Sequence, residues 1–181
     1  MAYFLGIDQS YTSCGLVIID DKAKLIKAAK FVSPVEVDKF RRAWLVSQHI
    51  QSEYINKYAP EMVGIEGLAF SMKGNATRDL AGLQFTIVNS LRATGYDEHN
   101  NEFTPNYNLL VVAPNELKKF ASGDGRADKP KLVDCLPQNV LESFQKQNFR
   151  KTTGLYDVTD AYWLSRFVLE VFKHRSEAKT K

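Results

Sequence analysis

Three strand-like runs in the first 31 residues constrain the fold most, because only short polar connections separate them. The runs cover residues 3–8, 13–20 and 25–31, and the second is rich in β-branched residues. Strand-forming runs joined by connections this short are typical of an antiparallel meander. The chain is therefore predicted to open with three antiparallel strands.

Beyond residue 31 the chain alternates between helical and strand-like segments. The helices are marked by helical spacing of apolar residues and by proline or glycine residues at their ends. The predicted order is a helix over 37–58, a strand over 62–66, a helix over 75–94, a strand over 109–113, a helix opened by Pro114, a helix over 131–147 interrupted at Pro137, and a final helix over 157–174. This order predicts an α/β fold: a mixed five-stranded sheet, with three antiparallel strands and then parallel crossovers, flanked by helices.

Composition excludes several classes of protein. Hydrophobic residues make up 44% of the chain and charged residues 25%, which is ordinary for a globular protein. No apolar run approaches the ~18 residues that span a bilayer, and the N-terminus has no signal-peptide pattern. Cys14 and Cys135 are too far apart for a zinc or redox motif. We therefore expect a protein of the cytoplasm, with reduced thiols and no membrane partner.

Positive charge is concentrated in one part of the chain. Residues 118–151 contain eight basic and four acidic residues, whereas the remainder holds 16 basic and 17 acidic residues. A locally basic face on a nearly neutral body favours a polyanionic partner, although solvated basic faces are also common.

Four acids occupy positions that favour a metal site. Asp8 and Glu66 each end an apolar strand, and Asp157 and Asp160 share one face at the start of the last helix. Singly, each has a structural explanation: a turn after a strand, an exposed strand end, or a helix cap. Together they would form a carboxylate cluster that needs cations, and Mg²⁺ or Mn²⁺ prefer such oxygen ligands. Two ions about 3.5–4 Å apart can activate water and stabilise the leaving oxygen of a phosphodiester, so we expect two ions per subunit.

These motifs occur in an order that resembles a known family. The matching segments are 6–10 (GIDQS) with 14–17 (CGLV), 64–67 (GIEG), 74–77 (GNAT) leading into 80–84 (LAGLQ), 118–129 (KKFASGDGRADK) and 157–161 (DVTDA). The set resembles the RuvC-type Holliday-junction resolvases, particularly the compact forms of phages and related viruses.

The resemblance implies a fold, an activity and a site. It implies a ribonuclease-H-like fold over residues 1–175 as a single nuclease domain, followed by a basic C-terminal tail at 176–181. It also implies a homodimer that cuts four-way DNA junctions symmetrically, in the host cytoplasm if a phage encodes it. By the same resemblance Asp8, Glu66, Asp157 and Asp160 carry metal. Lys129 matches the family's lysine, and its charge could also steady the transition state.

Seven residues are candidates for contacts with DNA. Lys118, Lys119, Arg126 and Lys129 cluster beside a glycine-rich loop that would let the backbone approach a duplex. Phe70 either stacks on unpaired bases at the crossover or covers the end of the sheet as a core aromatic. Tyr11 is a weaker stacking candidate, and Lys73 is a further basic candidate.

The helix over 75–94 is the predicted dimer interface. Leu80, Leu83, Ile87 and Leu91 form one apolar stripe at helical spacing, widened by Phe85 and Val88, while Ala81 and Gly82 would allow close approach of another helix. The alternative is that this helix is buried between the sheet and other helices of its own chain.

Other functions fit the sequence less well. Actin-like ATPases and sugar kinases share the opening strand motif but need a second glycine-rich phosphate loop and about twice this length. A ribonuclease H that cuts RNA–DNA hybrids would share the fold and metals, but the basic loop and the long apolar helix favour junctions. A non-enzymatic DNA-binding module would not need four acids near phosphate. A broader debranching nuclease, cutting forks and flaps as well, stays open.

Overall fold

A five-stranded mixed sheet organises the protein, as predicted. The computed structural model describes residues 1–68, 75–96 and 108–178, with the backbone alone at positions 75 and 76. The strands are β1 (Tyr3–Asp8), β2 (Cys14–Asp20), β3 (Leu25–Phe31), β4 (Met62–Glu66) and β5 (Leu109–Val112). Their order across the sheet is β3-β2-β1-β4-β5, antiparallel from β3 to β1 and parallel from β1 to β5.

Helices cover both faces of this sheet. They are α1 (Lys39–Ile50), which continues through a π-helical turn (Gln51–Ile55) into α2 (Asn56–Tyr58), then α3 (Asn75–Ala93), α4 (Pro114–Ser122), α5 (Lys129–Asp134), α6 (Gln138–Lys146) and α7 (Leu155–Ala178). Helices α1 and α3 pack with Leu5, Ile7 and Leu16 on one face. On the other face α7 packs with Phe4, Val17 and Ile19, and α4 to α6 join it. The two cores are thus separated by the sheet itself.

Three strand glycines let α7 lie directly on the sheet. A Cβ atom on Gly6 would overlap the carbonyl oxygen of Ala161, and one on Gly15 would overlap that of Asp157. On Gly64 it would lie 2.9 Å from Cγ1 of Val168. Because Gly6, Gly15 and Gly64 stand on β1, β2 and β4, the helix crosses three strands and its N-terminal turn lies over β2.

Three of the predicted helices have bounds that differ by two residues or more from those expected. The first helix begins at Lys39, because the Asp38 side chain accepts hydrogen bonds from the backbone N–H groups of Phe40 and Arg41. The helix expected over 131–147 is two helices, since Pro137 interrupts it and lies immediately before α6. Helix α7 begins at Leu155 and continues through Ala178, so residues 176–178 of the expected tail are helical.

No helix in the described part of the chain combines the length and apolar character that a membrane crossing requires.

Candidate active site

Parallel pairing of β1 and β4 brings Asp8 and Glu66 to the same edge of the sheet. Ile7 is paired with Ile65, so the acids that follow them are neighbours in the next position. Both acids lie on the α7 side, because side chains alternate along a strand and the glycines two positions earlier face that helix. Asp8 is buried, with 8% of its surface exposed.

Helix α7 brings the other two acids to this edge. Asp160 is buried, and Asp157 lies in the first turn of the helix above Gly15. Asp157 accepts a short hydrogen bond from the hydroxyl of Ser13, in the loop between β1 and β2. The predicted convergence of strand ends and helix start is therefore present in the backbone arrangement.

These carboxyl groups interact electrostatically, because the charge of one changes the pKa of another. Burial raises the pKa of Asp8 well above its ordinary value, and the charges of Asp160, Glu66 and Asp157 raise it further. Burial and the charge of Asp160 likewise raise the pKa of Glu66. Burial also raises the pKa of Asp160, although Lys129 opposes this rise. The cluster therefore holds more negative charge than its surroundings compensate.

Lys129 supplies part of the missing positive charge. Its ammonium nitrogen lies 3.2 Å from Oδ2 of Asp160, while 53% of the lysine side chain stays exposed. Burial alone would lower the pKa of Lys129, but the charges of Asp160 and Asp8 outweigh it and raise the pKa. Lys118 lines the same cleft and lowers the pKa of Glu66 and Asp160. Two lysines from the predicted basic segment therefore face the acids.

The chemistry of these side chains fits a hard divalent cation. The converging donors are carboxylate oxygens, and burial together with neighbouring carboxylates raises the pKa of Asp8 and Glu66. Among the residues that the structure describes, no three His, Cys, Asp or Glu side chains form a ready-made metal site. Asp160 is instead paired with Lys129, and Asp157 with Ser13. The two-ion site stays a prediction.

Two glutamines that the sequence reasoning did not single out support Glu66. The side-chain amides of Gln9 and Gln84 both donate to the Glu66 carbonyl oxygen, at 2.9 and 3.0 Å. The Glu66 carbonyl is thereby held by one residue directly after β1 and by one residue of α3. The position of Gln9, directly after Asp8, was a usable signal, whereas Gln84 is an ordinary helical residue in the sequence.

The other predicted DNA-contact residues lie in different places. Lys119 and Arg126 are exposed on α4 and the loop after it. Tyr11 is half-buried: its hydroxyl donates to the backbone oxygen of Asp79, and the Arg42 guanidinium lies 5.4 Å from its ring centroid. Phe70 and Lys73 fall outside the described residues.

The apolar stripe of α3 faces its own sheet. Leu83, Ile87 and Leu91 are buried in the core beside α1, Leu80 packs against that core, and Val88 is buried as well. The prediction that this stripe meets a second chain is therefore wrong for these side chains. Phe85, with 67% of its surface exposed, points the other way.

Comparison with known proteins finds relatives of one type. No family model matches the chain. A crossover junction endodeoxyribonuclease RuvC from Corynebacterium diphtheriae is 27% identical over 145 residues, which cover 71% of this chain and 74% of the relative. A RuvC from Mycobacterium sp. (strain KMS) is 21% identical over 136 residues, covering 73% and 67%.

Solved structures agree over nearly the whole chain. Thermus thermophilus RuvC in complex with a Holliday junction substrate superposes with a TM-score of 0.70 at 15% identity, covering 98% of this chain and 97% of its own. By sequence the chain is thus similar to RuvC crossover junction endodeoxyribonucleases, and its fold is that of the solved RuvC structure.

Proposed function

We propose that the chain is a metal-dependent endodeoxyribonuclease that resolves four-way DNA junctions by paired phosphodiester hydrolysis. One observation carries the proposal: the charges of Asp160, Glu66 and Asp157 act on the buried Asp8 carboxyl where β1, β4 and α7 come together. Lys129 pairs with Asp160 at the same place, in a chain with the fold of the solved RuvC structures. Such an enzyme acts on recombining DNA in the cytoplasm, that of the host cell if a phage encodes it.

Asp8, Glu66, Asp157 and Asp160 are the residues that would hold Mg²⁺ or Mn²⁺, two ions per subunit. When bound, these ions neutralise the carboxylates, activate the attacking water and stabilise the leaving oxygen. The amides of Gln9 and Gln84 hold the Glu66 main chain, and Ser13 orients the Asp157 carboxylate.

The basic residues bind and orient the DNA. Lys118 and Lys129 reach the cleft from the α4–α5 segment, where their charges attract the scissile phosphate. Lys129 is also close enough to Asp160 to place positive charge where the pentacovalent transition state becomes more negative. Lys119 and Arg126 are exposed for contacts with phosphates further along the duplex.

Symmetric cutting requires two sites in opposed orientation, which a two-fold homodimer provides. The outer surface of α1 and α3 supports this part of the proposal. Phe40 is 91% exposed and Phe85 67% exposed, and a Cβ on Gly82 would meet nothing within 4 Å. Phe40, Phe85 and Gly82 form the outer aromatic face. We expect this face, and not the buried apolar stripe of α3, to form the interface of the homodimer.

Cleavage of a panel of branched DNAs tests the function. We expect the protein with Mg²⁺ to cut an immobile four-way junction at paired, symmetric positions, and to leave a linear duplex of the same sequence intact. Equal rates on forks, flaps and four-way junctions would instead establish the broader debranching nuclease. Failure to cut any branched DNA with either Mg²⁺ or Mn²⁺ would refute both.

A further inference from the structure

Lys30 stands in the same row of the sheet as Asp8 and Glu66. Asp8 is paired with Gly15, and Gly15 is paired with Lys30. Residues directly opposite one another in adjacent strands project from the same face of a sheet. Continued across β4, the row is Glu66, Asp8, Gly15 and Lys30, all on the side that α7 covers.

Two glycines bring the Lys30 side chain next to Asp157. Gly15 leaves room for the first turn of α7 between Asp8 and Lys30. Gly154, with a φ of +103° that favours glycine, precedes this helix. A Cβ atom there would lie 2.6 Å from Cδ of Lys30, 3.5 Å from its Cε, and 3.4 Å from Oδ2 of Asp157. The carbon chain of Lys30 and the carboxylate of Asp157 therefore lie next to each other beside Gly154.

The charge of Lys30 has no ion-pair partner among residues 1–68, 75–96 and 108–178. Its stem is half-buried at the end of β3. An ammonium group on a flexible stem is a compact point charge that suits phosphate.

Lys30 and Lys129 lie on opposite sides of the acids. Lys129 and Lys118 approach from the cleft beside Glu66 and Asp160, whereas Lys30 belongs to β3, at the other edge of the sheet, beside Asp157. A DNA strand carries one negative charge about every 3.4 Å along the helix axis. A strand whose scissile phosphate lies at the acids must therefore carry other phosphates past both sides of the cluster, where the acids repel them.

We propose that Lys30 binds a backbone phosphate adjacent to the scissile one, on the β3 side of the site. The inference rests on the proposed function, and it adds a DNA-binding residue outside the basic segment 118–151. With Lys30 on one side and Lys118 and Lys129 on the other, the cut strand is held at two points across the acids.

Salt dependence of junction binding tests the proposal. The measurement uses Asp8→Asn protein with Mg²⁺, so that bound DNA is not cut, and compares it with the Asp8→Asn, Lys30→Gln double variant. Glutamine keeps the carbon chain through Cδ, the atom next to Gly154, and removes only the charge. We expect the double variant to bind more weakly and its slope of log affinity against log salt to be smaller by about 0.9, the value for one phosphate contact. When salt rises fourfold, the junction affinity of the double variant should therefore fall by a factor roughly three to four times smaller than that of Asp8→Asn alone.

Matched variants separate this role from others. Lys24→Gln makes the same charge change at an exposed position immediately before β3, and it should leave the slope unchanged. Lys30→Arg should restore the slope. In the cutting-competent protein, Lys30→Gln should raise KM with kcat little changed.

A slope that Lys30→Gln leaves unchanged would overturn the inference even if binding weakened. An equal loss in Lys24→Gln would overturn it too, since that would be a general charge effect. Absence of junction binding by the parent Asp8→Asn protein would count against the proposed function itself, so the two failures are distinguishable.

Discussion

At the scale of single residues, the buried acids oppose the folding of the metal-free protein. A carboxyl group whose pKa is higher in the folded than in the unfolded state favours its neutral form on folding. Ionised Asp8 therefore lowers the stability above its raised pKa, and this cost disappears as the pH falls below the ordinary value for aspartate.

Asp8→Asn should consequently raise the melting temperature of the protein in chelator at neutral pH. The amide keeps the shape of the side chain but removes a buried charge that Asp160 and Glu66 repel. The advantage over the wild type should shrink as the pH is lowered towards 4. Thermal unfolding between pH 4 and 8 measures it, and a variant less stable than the wild type at neutral pH would contradict this reading.

At the residue level, the sequence singled out side chains whose position carried chemical meaning. Asp8 and Glu66 stand out because acids end apolar strands, and Asp157 and Asp160 because they share a helix face. Lys30 gave no such signal, because its position near the acids depends on the pairing register of β1, β2 and β3. It also depends on the space left by two glycines, Gly15 and Gly154. Ser13 and Gln84 were missed for the same reason: their partners are 144 and 18 residues away.

At the scale of elements, the site depends on how closely α7 approaches the sheet. Gly6→Ala would place a methyl group against the Ala161 carbonyl and lift the helix that carries Asp157 and Asp160. We expect a loss of roughly 1–3 kcal/mol in the free energy of unfolding, typical of overpacking, together with reduced cutting. Chemical denaturation and a junction-cleavage assay measure the two effects.

Gly82→Ala is the matched control for this prediction. The added methyl group meets nothing within 4 Å on α3, and alanine favours a helix interior over glycine by roughly 0.5–1 kcal/mol. It should therefore stabilise the monomer. If Gly6→Ala were as stable as Gly82→Ala and as active as the wild type, close packing of α7 could not be what positions the acids.

Element prediction also shows what periodicity leaves undecided. The spacing of Leu83, Ile87 and Leu91 identified an apolar stripe on α3, but spacing alone does not say what the stripe packs against. The sheet and α1 of the same chain fill that place. The interruption at Pro137 was predicted, whereas the π-helical turn after α1 was beyond the coarse pattern.

At the scale of the whole molecule, the sequence predicted the architecture well. The three-strand meander followed from short connections, and the alternation of helices and strands gave the parallel half of the sheet. These features are local in sequence, so a pattern can reveal them. The pairing of β1 with β4, which brings Asp8 and Glu66 together, is long-range. The local pattern predicts both strands but does not fix that they are neighbours.

The outer aromatic face predicts an assembly of two chains. Light scattering at micromolar concentration should give twice the 20.5 kDa mass of one chain. Phe85→Glu should reduce it to a single chain and abolish paired incision, because the charge would be buried in the interface. Val111→Glu, at an exposed position on β5, is the control and should remain dimeric. A dimer that persists in Phe85→Glu would place the interface elsewhere.

The central claim is that the four carboxylates form the metal-dependent centre of a junction-cutting nuclease. The most direct test is the incision rate of a four-way junction in Mg²⁺ by the wild type, Asp8→Asn and Asp21→Asn, the last altering an exposed acid in the β2–β3 turn. We expect the wild type and Asp21→Asn to cut at equal rates. Asp8→Asn should bind the junction but cut it at a rate lower by a factor on the order of a hundred or more. Cutting by Asp8→Asn at the wild-type rate, or cutting by the wild type in chelator, would contradict the claim.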